Sequence, residues 1–417
     1  MTLPGPRKIA APWLAAPATQ AVFEVFAAAG FKARAVGGIV RNTLLGRSTT
    51  DIDIATDARP EETLRLARSA GFKTIPTGLA HGTVTVIAAG TPFEITTLRR
   101  DVATDGRHAE VAFTSDWVAD ARRRDFTINA LYCDADGTVF DPLGGCADLD
   151  PVRIRFIGDP AARIAEDYLR ILRFFRFTAN FVAGGALDPA GLAACHAGRA
   201  GLAQISGERI QVELLKLLAA PHAAAVTGAL VDCSVFTALF DLTPRPGALS
   251  RLITIENRLG IAAEPVRRLA ALAVGTFDDA ARLDARLKLS ASLRARLTAT
   301  ARNAAALDPI PDEPAARIAA YRIGSAAFTA GALLAWARSP QPLDDPAFNH
   351  LATLSARFTP PEFPVSGRDL IDLGYAPGPG LGAALKQLED RWLADGFAPD
   401  RETLLRLARP GLPPTHG

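Results

Sequence analysis

Residues 33–53 read ARAVGGIVRNTLLGRSTTDID, and the fold is decided in this stretch. Ala33 to Val36 is a short apolar run that stops at Gly37-Gly38. Ile39 to Leu45 then takes helical spacing, and Asp51-Ile52-Asp53-Ile54 alternates polar and apolar with the period of a strand. Working outward, Pro60 to Ala70 reads as a helix, and Thr83 to Ala88 with Phe93 to Leu98 reads as a hairpin about Gly90-Thr91-Pro92. Residues 101–117 are polar and hold Asp105-Gly106, which predicts a mobile loop. Phe126 to Leu131 and Thr138 to Phe140 read as further strands about the Asp136-Gly137 turn.

Beyond residue 155 the texture changes to long Ala/Leu/Arg-rich helical segments, broken by Pro and Gly clusters near 184–191, 242–247, 308–314 and 359–367. The expected class is α+β, an N-terminal α/β head followed by all-helical parts. The expected divisions are 1–155, 156–240, 241–345 and 346–417.

Composition narrows the function classes. With 417 residues, 49% hydrophobic and 22% charged, the chain can bury real cores and is neither disordered nor collagen-like. No run approaches the ~18 apolar residues of a membrane helix. Cys133, Cys146, Cys195 and Cys233 form no CxxC pair or disulfide framework. With no signal-peptide pattern in the first thirty residues, the expected compartment is the cytoplasm. Net charge is only +2, yet 40 of the 46 basic residues are arginine, and several of these cluster.

Asp51-x-Asp53 on a strand puts both carboxylates on one face, about 7 Å apart. Two hard oxygen ligands so placed can hold Mg²⁺ against a nucleoside triphosphate, although chance DxD pairs are common. The neighbouring Gly37-Gly38-Ile39-Val40-Arg41 adds context. Glycines admit a phosphate to the backbone, and free N–H groups at a helix start attract it. The spacing fits neither a Walker A loop nor a Rossmann fingerprint. Glu94, in Phe93-Glu94-Ile95, is a candidate third carboxylate, the alternative being a glutamate on an exposed face. Arg122-Arg123-Arg124-Asp125 is either a solvated charge run or a phosphate clamp. Asp159-Pro160 caps a helix predicted over 161–177. On it Arg163, Glu166, Asp167, Arg170 and Arg173 would share one face, as a functional set or a salt-bridge ladder.

Five motifs follow in order: GGxVR, DxD, RRDFTINA (123–130), EDxxRxxRxxRF (166–177), and Gly207-Glu208-Arg209 with Glu213. Together they resemble the class II CCA-adding tRNA nucleotidyltransferases and bacterial poly(A) polymerases of the polymerase-β superfamily. The likeness is strong over about 33–218 and recurs at Ser366-Gly367-Arg368-Asp369-Leu370.

The resemblance implies a nucleotidyltransferase head with a small mixed sheet, then a helical neck, body and tail. It implies Mg²⁺ held by Asp51 and Asp53, with Glu94 as a further catalytic acid. Nucleotide contacts would fall to Gly37, Gly38, Arg41, Arg124 (with Arg123 assisting), Asp167, Arg170, Arg173 and Arg176. Asp167 and Arg170 match the pair that reads the incoming base. Cytosine and adenine both offer an exocyclic amino donor beside a ring-nitrogen acceptor, which suits a carboxylate and a guanidinium and rejects uracil and guanine. Glu208, Arg209 and Glu213 match a helix brace.

The implied activity is template-independent addition of CCA to tRNA 3′ ends from CTP and ATP, with pyrophosphate release. tRNA would be gripped at acceptor stem and elbow. The alternatives are a poly(A) polymerase or A-only enzyme, which shares these motifs, and an RNA-binding protein with an inactive head. A flexible element at 101–117, including Asp105-Gly106-Arg107, favours full CCA addition. One departure stands out: the family pattern continues GGxVRD, and here Asn42 takes the aspartate's place.

Overall fold

The computed structural model describes residues 7–49, 51–104 and 109–409. The chain divides into two compact units, Met1–Pro246 with Ala285–Lys288, and Gly247–Asp284 with Leu289–Gly417.

The first unit is built on β1 (Ala33–Val36), β2 (Ile52–Thr56), β3 (Lys73–Gly78), β4 (Thr83–Ala88), β5 (Thr91–Thr97), β6 (Arg99–Thr104), β7 (Ala109–Phe113), β8 (Tyr132–Cys133) and β9 (Val139–Phe140). Seven of these form one sheet in the order β3-β4-β5-β2-β1-β8-β9. β2 and β5 pair in parallel; the other neighbours in the sheet are antiparallel. In β4 every second residue is buried, the period that packs one face and wets the other. β3 escapes a sequence reading because it carries Pro76, which lacks the N–H a central strand needs. The structure places β3 at the sheet edge, where proline is tolerated.

The helices that matter for the site are α1 (Gly38–Leu44), α2 (Trp117–Arg122), α3 (Pro160–Glu166), α4 (Leu169–Phe181) and α5 (Gly207–Ala219). α4 buries Leu169, Ile171, Leu172, Phe174, Phe175, Phe177, Thr178 and Ala179. Phe174 stacks on Phe156 with centroids 5.4 Å apart, and Phe126 tilts against both Phe156 and Phe177.

The structure corrects three expectations. The helix predicted over 161–177 breaks at Asp167, whose backbone is extended (φ −155°, ψ 104°). Its side-chain Oδ1 accepts from the Leu169 N–H at 3.1 Å, so Asp167 ends α3 and caps the start of α4. Phe126 to Leu131 is not a strand. Thr127–Asn129 is a 3₁₀ turn pinned by Thr127 Oγ1 donating to buried Asp148 at 2.6 Å, and β8 starts only at Tyr132. The segment read as a loop at 101–117 instead contributes β6 and β7, paired from Arg99↔Phe113 to Thr104↔Ala109 as a separate two-stranded sheet, and then the start of α2. Polar composition does not exclude a ladder held by backbone groups. Asp105, Gly106 and Arg107 lie outside the described residues.

The second unit is helical. Pro246–Leu259 and Pro265–Ala273 are joined by buried Glu256, whose two oxygens each accept a guanidinium Nε at 2.8 Å, one from Arg267 and one from Arg268. One apolar cluster gathers Leu307, Ala316, Phe328 and Leu351, and another gathers Val365, Leu370, Trp392 and Leu404. No helix among the described residues is long and apolar enough to cross a membrane.

Candidate active site

A cavity of about 480 Å³ opens in the first unit. Asp53 on β2 lines it, half-buried, and Asp51 stands exposed just before the strand. Asp53 and Glu94 are Cα partners across the parallel β2–β5 pair, so their side chains leave the sheet on the same side. Glu94 is exposed there. Burial raises the Asp53 carboxyl, and the negative charges of Glu94 and Asp51 add to the rise while Arg124 opposes it. Carboxylates that repel one another in this way suit a hard divalent cation completed by water and phosphate oxygens. Among the described residues, however, no three acidic, histidine or cysteine groups are gathered as a ready-made metal cage.

Gly37 turns the chain from β1 into α1 with φ 72° and ψ −118°. Its N–H is not free for a phosphate, because it donates to the Leu131 carbonyl at 3.0 Å. Arg41, one turn on, is buried and lines the cavity. It donates from Nε (3.1 Å) and Nη2 (2.9 Å) to Asn42 Oδ1 and from Nη1 to Asn129 Oδ1, and lies 4.4 Å from the Phe181 ring centroid. Burial pushes it down to about 10, with Asp125 offsetting part of the effect and Arg176 adding to it.

The arginine run is aimed from below by one acid. Asp120 on α2 is buried; its Oδ1 accepts from Arg123 Nη2 at 2.7 Å, and its Oδ2 from Arg124 Nη2 at 3.1 Å and from the Tyr132 hydroxyl at 2.7 Å. Burial alone would raise this carboxyl; Arg124 and Arg123 outweigh it and hold the group below the usual carboxylate range. Asp125 is held down in the same way, mainly by Arg173, whose Nε donates at 2.8 Å, with help from Asn129 Nδ2 at 2.9 Å.

Asp167 and Arg170 both line the cavity. Asp167 Oδ2 accepts from Arg209 Nη2 at 2.7 Å, while Oδ1 caps α4. Arg170 Nη1 donates to Glu166 at 2.6 Å and to the Arg163 carbonyl at 2.8 Å. Six arginines and three aspartates line the space, an excess of positive charge suited to a triphosphate.

The structure thus brings Gly37, Gly38, Arg41, Asp53, Arg124, Asp167, Arg170 and Arg173 to one cavity. Asp51, Glu94 and Arg176 are not in its lining. Arg176 is instead paired through Nε with Glu213 and stacked 4.3 Å from the Phe177 centroid. Sequence reasoning assigned Arg209 to bracing alone and did not single out Asp120, Asp125 or Asn129. Asn129 could have been found as an amide inside the apolar run Phe126 to Leu131, where a polar group needs a partner. Asp120 sits three and four residues before Arg123 and Arg124, the spacing of a helical ion pair.

Residues 33–155 match the family described as the poly A polymerase head domain, and residues 186–245 match a probable RNA- and SrmB-binding site of polymerase A. The mitochondrial CCA tRNA nucleotidyltransferase 1 of Mus musculus is 38% identical over 387 residues, 92% of this chain and 87% of that relative. A CCA-adding enzyme of Limosilactobacillus fermentum is 34% identical over 91% of this chain and 93% of its own. The crystal structure of the Bacillus stearothermophilus CCA-adding enzyme in complex with CTP superposes with a TM-score of 0.68 at 28% identity, covering 94% of this chain and 96% of that one.

Proposed function

Because the chain belongs to the family of CCA-adding tRNA nucleotidyltransferases, we propose that it completes tRNA 3′ ends, adding C, C and A from CTP and ATP with release of pyrophosphate. The observation that carries this reading is the single cavity lined by Asp53, by arginines suited to a triphosphate, and by the Asp167–Arg170 pair suited to a base.

Membership of the family implies a divalent metal ion, and Mg²⁺ is the proposed one. Asp51 and Asp53 would hold it, their hard oxygens matching its preference, with Glu94 as the nearby third acid. When bound, the ion supplies charge neutralisation at the triphosphate and polarises the attacking 3′-hydroxyl. The rest falls to the chain. Arg41, Arg124 and Arg173 hold the triphosphate, with Arg123 and Arg176 supporting, and the Gly37-Gly38 turn leaves room beside them. Each Asp167 oxygen keeps a lone pair after its present bond, so the carboxylate can still accept from the exocyclic amine of cytosine or adenine. Arg170, kept in place by Glu166, donates to the adjacent ring nitrogen. Uracil or guanine would set a keto oxygen against a carboxylate, an unpaired contact costing about 1–3 kcal/mol or more.

The functional divisions proposed are a head at 1–155, a neck with the base-reading pair at 156–240, a body at 241–345 and an RNA-gripping tail at 346–417. tRNA would be bound mainly through its backbone, as the arginine excess supports. A reducing compartment such as the cytoplasm accords with the four free cysteines.

The test replaces Asp51 and Asp53 by alanine, singly and together. The expected result is loss of nucleotide incorporation by about 10³-fold or more, as for removal of a group that holds a catalytic metal, with tRNA binding retained. Incorporation that survived the double substitution would overturn the reading.

A further inference from the structure

Five of the six cavity arginines already spend their charge on a carboxylate. Arg123 and Arg124 share Asp120 (2.7 and 3.1 Å), Arg170 pairs with Glu166 (2.6 Å), Arg173 with Asp125 (2.5 Å) and Arg209 with Asp167 (2.7 Å). Arg41 is held differently. Its hydrogen bonds all end on neutral amide oxygens: Nε and Nη2 on Asn42 Oδ1, and Nη1 on Asn129 Oδ1. The negative charge of Asp125 offsets part of the burial cost of Arg41, but its oxygens bond Arg173 Nε at 2.8 Å and Asn129 Nδ2 at 2.9 Å rather than Arg41 itself. Arg41 is 7% exposed, so little water compensates it. A buried cation fixed by amides alone is costly until an anion arrives. Its guanidinium carbon also lies 4.4 Å from the Phe181 ring centroid, a contact that holds it further without neutralising it.

We propose that Asn42 is a positioning residue that aims Arg41 without pairing it to a carboxylate, leaving Arg41 the cavity arginine most open to a polyphosphate. This rests on the nucleotide-site reading above. An aspartate at position 42 would place a carboxylate oxygen where Asn42 Oδ1 now lies, 2.9 Å from Nη2, and would consume that charge internally. An asparagine at position 42 thus favours anion binding over an aspartate there.

The experiment measures binding of inorganic tripolyphosphate to the full chain by calorimetry over a range of ionic strength. It compares the natural protein with Asn42→Asp and Asn42→Ala, and then determines kcat and KM for CTP and ATP on tRNA. Asn42→Asp is nearly isosteric, and folding is checked by circular dichroism. The expected result for Asn42→Asp is tripolyphosphate binding weakened on the order of tenfold, with a shallower salt dependence because one fewer net charge meets the anion. KM for both nucleotides should rise in step while kcat changes by less than about twofold, the pattern of lost uniform binding. Asn42→Ala loosens the aim without cancelling the charge, so it should keep the full salt dependence and lose less affinity.

Tripolyphosphate binding by Asn42→Asp as tight as that of the natural protein, with the same salt dependence, overturns the proposal, as does absence of tripolyphosphate binding by the natural protein. If the natural protein binds tripolyphosphate in the expected way but adds no nucleotide to RNA, the functional reading fails while the assignment of Asn42 stands.

Discussion

Arg209 Nη2 lies 2.7 Å from Asp167 Oδ2, joining α5 to the break between α3 and α4. Asp167 Oδ1 is bonded to the Leu169 N–H, so this carboxylate is fixed at both oxygens before any base arrives. Arg209 therefore does more than brace a helix; it sets the plane of the group proposed to read the base. Replacing Arg209 by alanine should lower C and A incorporation by about ten- to a hundredfold, the cost of a misplaced reacting group, and should raise incorporation of U and G relative to them. Arg209→Lys keeps the charge without the planar fork and should fall between. Single-nucleotide incorporation kinetics with each of the four triphosphates give the ratios, and unaltered discrimination in Arg209→Ala would contradict the assignment.

Asp120 is the common anchor of Arg123, Arg124 and the Tyr132 hydroxyl. Asp120→Ala leaves two guanidinium groups without their counter-ion in a largely enclosed place, and should destabilise the first unit by about 3 kcal/mol. KM for CTP and ATP should rise as well, since the arginines lose their aim. Urea unfolding and steady-state kinetics on the same preparation check both; a stable variant with unchanged KM would show that the arginines are placed by other contacts.

Gly37 and Gly38 differ although adjacent. Gly37 sits at φ 72°, and a methyl group there would meet Arg124 Nη1 at 3.6 Å and the Asn129 carbonyl at 3.7 Å, ordinary contacts. The cost of Gly37→Ala is thus backbone strain, about 1–2 kcal/mol. At Gly38 the nearest atom to an added methyl is Arg41 Nη2 at 3.8 Å, and the backbone is helical. Gly38→Ala should leave stability unchanged or slightly improved. Denaturant midpoints for the two variants should separate in that order.

Acid should unfold the first unit through Asp120 and Asp125. Both carboxyls are held below their ordinary range, burial being outweighed by Arg124 and Arg123 in one case and by Arg173 in the other. Between the folded values and the unfolded value near ~3.9 the unfolded chain binds more protons. The stabilisation is therefore fully present above the unfolded value and is lost as pH falls through the folded values. Urea unfolding between about pH 6 and pH 2.5 should show a plateau, then a steep fall below about pH 4. Asp120→Asn should start less stable and fall less steeply by about one proton.

Much of the site could be read in the sequence where local signals coincide. β1 ends where the apolar run meets Gly37, and β2 shows its period in Asp51 to Ile54. Glu94 could be read as a candidate third acid, but not its register directly opposite Asp53, because register across parallel strands is set between segments about forty residues apart. The break at Asp167 was hidden for a related reason. Tyr168 and Leu169 accept a helix, and only the placed Leu169 N–H and Arg209 reward an extended Asp167. Asn42 could be seen as a departure from a pattern, but its consequence needed the positions of Arg41 and Asn129.

The central claim is the addition of C, C and A, and one assay tests it most directly. tRNA ending at the discriminator base, in C and in CC is incubated with the protein and Mg²⁺, with each triphosphate alone and with CTP plus ATP, and products are resolved to one nucleotide. The account predicts two C additions and then one A, with U and G refused. Addition of A only to tRNA ending in CC would mean an A-adding enzyme, long A tails on general RNA would mean a poly(A) polymerase, and folded protein that adds nothing would contradict the account altogether.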